Sequence, residues 1–136
     1  FPQDDAEALR WFRLPAEKGE ARAQTDIGYY YSQGLVVEQN YEEAFKWYRL
    51  AARQGIVQAM IAVGNYYEEG LGVAQDNVRA FVWLDLTSQA LAAQGESMSE
   101  LEQQVDALVQ RMTPLELLQA DLVARLCKES NLTKCD

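Results

Sequence analysis

The sequence contains no histidine. That removes the commonest general base near neutral pH and the commonest side-chain metal ligand. Nucleophile motifs are also missing: there is no Gly-x-Ser-x-Gly, no Ser-x-x-Lys and no phosphate loop. Asn40 and Asp76-Asn77 do not belong to an Asp-x-Asp-x-Asp-Gly loop, so no calcium site is expected. Adjacent carboxylates occur at Asp4/Asp5, Glu42/Glu43 and Glu68/Glu69. Neighbouring helix positions diverge by about 100°, so these pairs read as solvated helix surface rather than acid–base partners. No run of ~18 apolar residues exists that could span a membrane as a helix. Positive charge is scarce, with 12 Lys and Arg against 21 Asp and Glu and a net charge of −9. Phosphate backbones and anionic membrane surfaces repel such a chain, whereas a basic patch on a protein suits it. These absences predict a chain that is not an enzyme, carries no cofactor or metal, and binds neither nucleic acid nor membrane.

What is present is an internal repeat. The 136 residues are 49% hydrophobic and 24% charged, which is globular composition and one domain's worth of chain. Laying residues 19–54 over 55–90 gives thirteen identities in 36 positions, where chance gives about two. They include Ala23/Ala59, Gly28/Gly64, Tyr31/Tyr67, Gly34/Gly70, Ala44/Ala80 and Trp47/Trp83. Extended backwards, the register sets Ala8 and Trp11 on Ala44 and Trp47, and places Phe1 halfway through a unit. The lack of an initial Met fits a mature or trimmed chain whose signal peptide, if any, is not visible. The half-unit also leaves an apolar face at that end that other residues must cover.

Each unit reads as two helices. Helix A covers about 21–33 and 57–69, with apolar residues such as Ala23, Ile27, Tyr30 and Tyr31 at helical spacing. Gly34 and Gly70 close it, since glycine accepts the left-handed cap conformation. Helix B covers about 4–17, 40–54 and 76–91, with Asp4, Asn40 and Asp76 as N-caps. Gly28 and Gly64 lie inside helix A, where glycine costs about 1 kcal/mol against alanine. Close approach of another helix is the expected reason, with Ala44 and Ala80 opposite and Trp47 and Trp83 filling the gap between units. Three tryptophans at one period are read as core rather than as a ligand cage. Pro15 stands where the next unit has Ala51, which predicts a frayed or kinked last turn. Val36 stands where the next unit has Gly72, restricting that turn.

These residues resemble the Sel-1-like repeat family, a relative of the tetratricopeptide repeat. The match runs Ala23-x3-Ile27-Gly28-x2-Tyr31-x2-Gly34-Leu35-x-Val37-x-Gln39-Asn40-x3-Ala44-x2-Trp47-Tyr48-x2-Ala51-Ala52-x-Gln54-Gly55 and covers residues 1–90. The resemblance implies an all-α, right-handed α-solenoid of helix pairs, with a concave face lined by A helices and an adaptor role. The expected organisation is one domain: a half repeat at 1–18, repeats at 19–54 and 55–96, and capping helices with a tail at 97–136. By the same analogy Arg22, Thr25, Tyr29, Ser32, Gln33, Gln58, Ile61, Asn65, Glu68 and Glu69 would line the groove and bind a protein or extended peptide.

Beyond the repeats, Met98, Leu101, Val105, Leu108, Val109 and Met112 form one stripe of a third A-like helix, capped by Ser97 or Ser99. Thr113-Pro114 opens a closing helix, with Leu115, Leu118, Leu122 and Leu126 expected inward. Cys127 and Cys135 could be a buried free thiol and an incidental one, but their placement within the last ten residues favours a disulfide. A bridge implies an oxidising compartment. Such a tail resembles those of periplasmic or secreted bacterial members. That setting allows a sharper alternative, a periplasmic immunity protein neutralising a basic secreted toxin, beside assembly of envelope machinery. The weak β-lactam hydrolysis ascribed to cysteine-rich members is discounted, because those carry a cysteine pair in each repeat and this chain does not.

Overall fold

The computed structural model describes residues 5–136, so the expected Asp4 cap and the register of Phe1–Asp4 lie outside the described residues. It contains seven helices and, among the described residues, no strand: α1 (Asp5–Glu17), α2 (Ala21–Gln33), α3 (Tyr41–Ala52), α4 (Val57–Glu69), α5 (Asn77–Ala93), α6 (Ser99–Arg111) and α7 (Pro114–Glu129). α2 packs on α3 and α4 on α5, and each pair leans on the helix before it. This is the all-α solenoid that the repeat predicts. The Asn40 and Asp76 side chains accept the Glu43 and Arg79 amides at 3.1 and 3.0 Å and so start α3 and α5.

The mid-helix glycines sit at the tightest helix contacts. A Cβ on Gly28 would lie 2.9 Å from the Tyr48 ring, and one on Gly64 would lie 2.6 Å from Leu84. Ala44 and Ala80 are fully buried beside them. Trp83 is fully buried and Trp47 half-buried, but Trp11 is 68% exposed. The core expectation therefore fails at Trp11, because α1 is the first described helix and no described helix packs beyond it; its indole N–H reaches back to Glu7 at 3.4 Å. α1 also runs through Pro15 to Glu17. The missing proline N–H falls near the helix end, where Lys18 and Glu20 still bond to the carbonyls of Leu14 and Pro15.

The turn after helix A differs between units. Gly72 has φ +67° and lies so close to the Tyr41 carbonyl that a Cβ would overlap it. Val36, at the equivalent position, holds φ 68° with a branched side chain that is half exposed. A left-handed conformation costs such a residue roughly 1–2 kcal/mol.

The last two helices depart from the repeat. α6 buries Leu101, Val105, Leu108 and Met112 as expected, whereas Met98 is its exposed N-cap and the Ser97 hydroxyl donates to Glu102 at 3.3 Å instead of capping. α7 begins with a full capping box between Thr113 and Glu116. It packs on α5, and α6 also packs on α5, so the two do not form a third hairpin like those before. The leucines expected inward are exposed: Leu115 64%, Leu118 71%, Leu122 59% and Leu126 43%. Ala120 and Cys127 are buried instead, with Val123 and Ala124 packed beside them.

The rotation of α7 follows from its end. Cys127 and Cys135 form a disulfide, and both are fully buried. Ala124, Val123 and Ala120 lie three, four and seven residues before Cys127, so they share its face. The bridge turns the tail back over the core. There the Asp136 carboxylate accepts hydrogen bonds from Tyr67 (2.7 Å), the Trp83 indole (3.2 Å) and Arg53 (3.3 Å). Arg49 Nε lies 2.9 Å away as a further ion-pair contact. One side chain thus ties α3, α4 and α5 together.

Two consequences can be measured by thermal unfolding. Val36→Gly relieves the left-handed strain at some cost in unfolded-state entropy, so it raises stability by about 0.5–1 kcal/mol and Tm by roughly 2–4 °C. An unchanged or lower Tm would show that the Val36 turn is not strained. Asp136→Ala strips a charge-assisted acceptor from three donors and an ion-pair partner from Arg49, and lowers stability by about 2 kcal/mol with the disulfide intact. A variant as stable as the parent would mean that solvent serves those donors equally well.

Candidate functional site

α2 and α4 present equivalent surfaces 36 residues apart, and the ten expected groove residues lie on them. Arg22, Tyr29, Gln33, Gln58 and Glu69 are exposed, and Ile61, Asn65 and Glu68 are half-buried. Thr25 and Ser32 are buried, although Thr25 still lines the cleft between α2 and α4. Their hydroxyls donate to carbonyls of their own helix, Thr25 to Ala21 at 2.9 Å and Ser32 to Tyr29 at 2.8 Å. A short polar side chain that bonds back to the helix can enter a seam without losing its partner.

The α4 half of the face is engaged within the chain. Gln104 of α6 donates to Asn65 at 2.6 Å and to Glu68 at 2.7 Å, and Arg111 pairs with the other Glu68 oxygen. Asn65 and Glu68 therefore fasten α6 to α4 rather than standing open as a pair. What stays open is a cleft of about 480 Å³ between α2 and the start of α4, lined by Arg22, Thr25, Asp26, Gly55, Ile56, Val57 and Gln58. A second cleft of about 490 Å³ lies between α2 and α1, against Trp11, Phe12 and Pro15. Arg22 and Asp26 border both, so they form the wall between the two. Tyr29, 52% exposed, sits two turns further along α2.

Asp26 is the groove residue that the sequence reading passed over. It follows Arg22 by four positions, the spacing that places two side chains on one helix face. Partial burial pushes its carboxyl above the ordinary carboxylate range, and the Arg22 guanidinium offsets part of that shift. A partly desolvated carboxylate beside an arginine can accept hydrogen bonds from a partner's backbone or cations. Among the described residues no group of three His, Cys, Asp or Glu is placed to hold a metal. No helix among them is long and apolar enough to cross a membrane.

A repeat scaffold with open clefts on one helical surface is a binding architecture. Family comparison agrees: the Sel1 repeat model matches residues 1–20, 21–56 and 57–90, and the chain belongs to the Sel1 repeat family, whose members generally act as protein–protein interaction modules. Two solved structures are similar. One is c5321, described as a protective antigen of uropathogenic Escherichia coli with an SLR fold, at 31% identity and a TM-score of 0.80 over 94% of this chain. The chain spans only 26% of the length of that protein. The other is a Sel1 repeat protein from Oxalobacter formigenes, at 38% identity and a TM-score of 0.66 over 77% of this chain and 74% of its own. No curated protein matches the chain.

Beneath the exposed surface runs an aromatic seam. Tyr66 meets Tyr41, Phe45 and Tyr48 with ring centroids 5.7, 6.5 and 5.9 Å apart. Burial, with the neighbouring Tyr48 second, raises the Tyr66 phenol to about 12, and burial raises Tyr67 too. In the unfolded chain these groups ionise near 10. Between pH 10 and about 12 the unfolded state releases protons that the folded state keeps, so stability is intact below 10 and falls through that window. An alkaline series of melting curves should show this fall, and Tyr66→Phe should make it shallower. An equal slope in both proteins would mean that Tyr66 does not resist ionisation.

Proposed function

We propose that the chain binds an extended segment of a protein partner in the groove along α2, with Arg22, Asp26, Gln58 and Tyr29 as its contacts. The observation that carries this reading is the cleft between α2 and α4, which keeps a charged pair and amide groups open while the residues around it are consumed in packing. Arginine and tyrosine are among the residues most often found at binding hot spots, and Tyr29 has no packing task that would otherwise explain a ring half in solvent. Ile61, Gln33 and Glu69 would widen the contact. Thr25 would contribute only to the floor of the cleft, Ser32 would not take part, and Asn65 and Glu68 would act through α6. The net charge of −9 favours a basic surface on the partner.

The setting follows from the tail. A disulfide that anchors the fold persists only where the surroundings are oxidising, which supports a periplasmic or secreted protein.

Affinity purification from native extract with quantitative mass spectrometry tests the groove. The double variant Arg22→Ala/Tyr29→Ala should lose at least tenfold of a partner that the parent retains, with Tm within ~1 °C because both side chains are exposed. Full retention of every partner by the folded variant would place binding on another surface.

A further inference from the structure

The contacts of the tail carboxylate recur as residue types one repeat earlier. Asp136 is held by an arginine of one second helix, Arg49 of α3, a tyrosine of the following first helix, Tyr67 of α4, and a tryptophan of the next second helix, Trp83 of α5. The same three residue types recur 36 positions earlier on α1, α2 and α3 as Arg13, Tyr31 and Trp47. Tyr31 and Trp47 are half-buried in the seam there, while Arg13 is exposed. The Tyr31 hydroxyl, the Trp47 indole N–H and the Arg13 guanidinium have no hydrogen-bond or ion-pair partner among the described residues. Lys46 adds a cation 5.7 Å from the Trp47 ring. The two cradles differ at one edge, where Glu17 stands in place of Arg53.

We propose that the Arg13–Tyr31–Trp47 cradle binds the side-chain carboxylate of an aspartate or glutamate presented by an extended segment of a partner protein. The chemistry is that of its neighbour: a phenol and an indole donate to one oxygen while an arginine neutralises the other. Asp136 in the second cradle is the template for the occupant. Having one arginine instead of two and Glu17 at the rim, the first cradle binds more weakly than the second and selects a single acidic side chain rather than a run of them. The site lies among α1, α2 and α3 and shares no residue with the groove contacts assigned to Arg22, Asp26, Gln58 and Tyr29, so the two can fail separately.

The test uses indole N–H resonances as position-specific reporters in two-dimensional NMR of the oxidised protein. The probe is an amidated peptide copying residues 130–136 with Cys135→Ser, so that the aspartate side chain is its only carboxylate; the control peptide carries Asp136→Asn. Millimolar probe should shift the Trp47 indole in the intact protein and leave Trp83 in place, and Arg13→Ala or Tyr31→Phe should weaken that response at least fivefold. In the Asp136→Ala protein, or in Asp136→Asn should the first fold poorly, the probe should also shift Trp83, with the tighter affinity. A Trp47 signal that stays still while Trp83 of the variant responds overturns the proposal. So does an equal response to the control peptide, or silence at both tryptophans.

Discussion

The distance between the two helices of a unit governs everything else in this molecule. Gly28 lets the Tyr48 ring lie against the α2 backbone, and Gly64 does the same for Leu84 on α4. A glycine inside a helix costs about 1 kcal/mol in propensity, and the contact it admits must more than offset this. It does so by letting a sheet of small residues close up: Ala44, Ala51, Ala52, Ala59 and Ala80 are all fully buried. Packing of that density leaves little freedom in the crossing of the helices. The same close approach occurs in both units, so equivalent residues fall at one 36-residue period along the array. The Tyr–Trp–Arg geometry around Asp136 is a product of that regularity rather than a separate invention.

After α5 the core is covered by a helix and a tail locked by one covalent bond and one carboxylate. The disulfide fixes which side of α7 faces α5, and Asp136 satisfies donors from α3, α4 and α5 that would otherwise face a thinly covered core. Neither element could do this alone. Without the bridge, ordering the tail would cost roughly 1–2 kcal/mol per residue in backbone entropy. Without the carboxylate, the bridge would pin a strap with nothing beneath it to grip. With both cysteines fully buried, the bond is shielded from thiols in solution, which marks it as a structural staple rather than a switch.

The fold was legible because it is written twice. Thirteen identities at one spacing carry the helix boundaries, the caps at Asn40 and Asp76, and the reason for Gly28 and Gly64. What was not legible depends on rotation. Leu115, Leu118, Leu122 and Leu126 form the larger apolar stripe of α7, and a stripe alone says that it should face inward. The disulfide overrides it, since Cys127 dictates the buried side and brings Ala120, Val123 and Ala124 with it. The groove was half legible for a related reason. Thr25 and Ser32 occupy groove positions by spacing, but a hydroxyl can return to its own helix carbonyl, and no pattern distinguishes that from exposure. Asn65 and Glu68 are engaged by Gln104 and Arg111, residues of a helix outside the repeat whose contacts no repeat spacing foretells. Asp26 could have been found, because its spacing from Arg22 was visible.

The role of Asp136 also explains why binding by such a scaffold must spread over more than one contact. The tail carboxylate sits one residue beyond Cys135, which the bridge holds to Cys127, so it enters its cradle at high effective concentration and without the loss of translational freedom that a separate molecule suffers. The same chemistry offered to an untethered side chain, with one arginine instead of two, cannot hold a partner by itself. It can fix the register of a chain that is held elsewhere. The groove along α2 and the pockets between successive units lie on one rigid array, so a partner that reaches both gains affinity from the second contact without ordering the scaffold anew. Rigidity, set by the glycine contacts inside each unit, is therefore what turns several weak sites into one recognition surface.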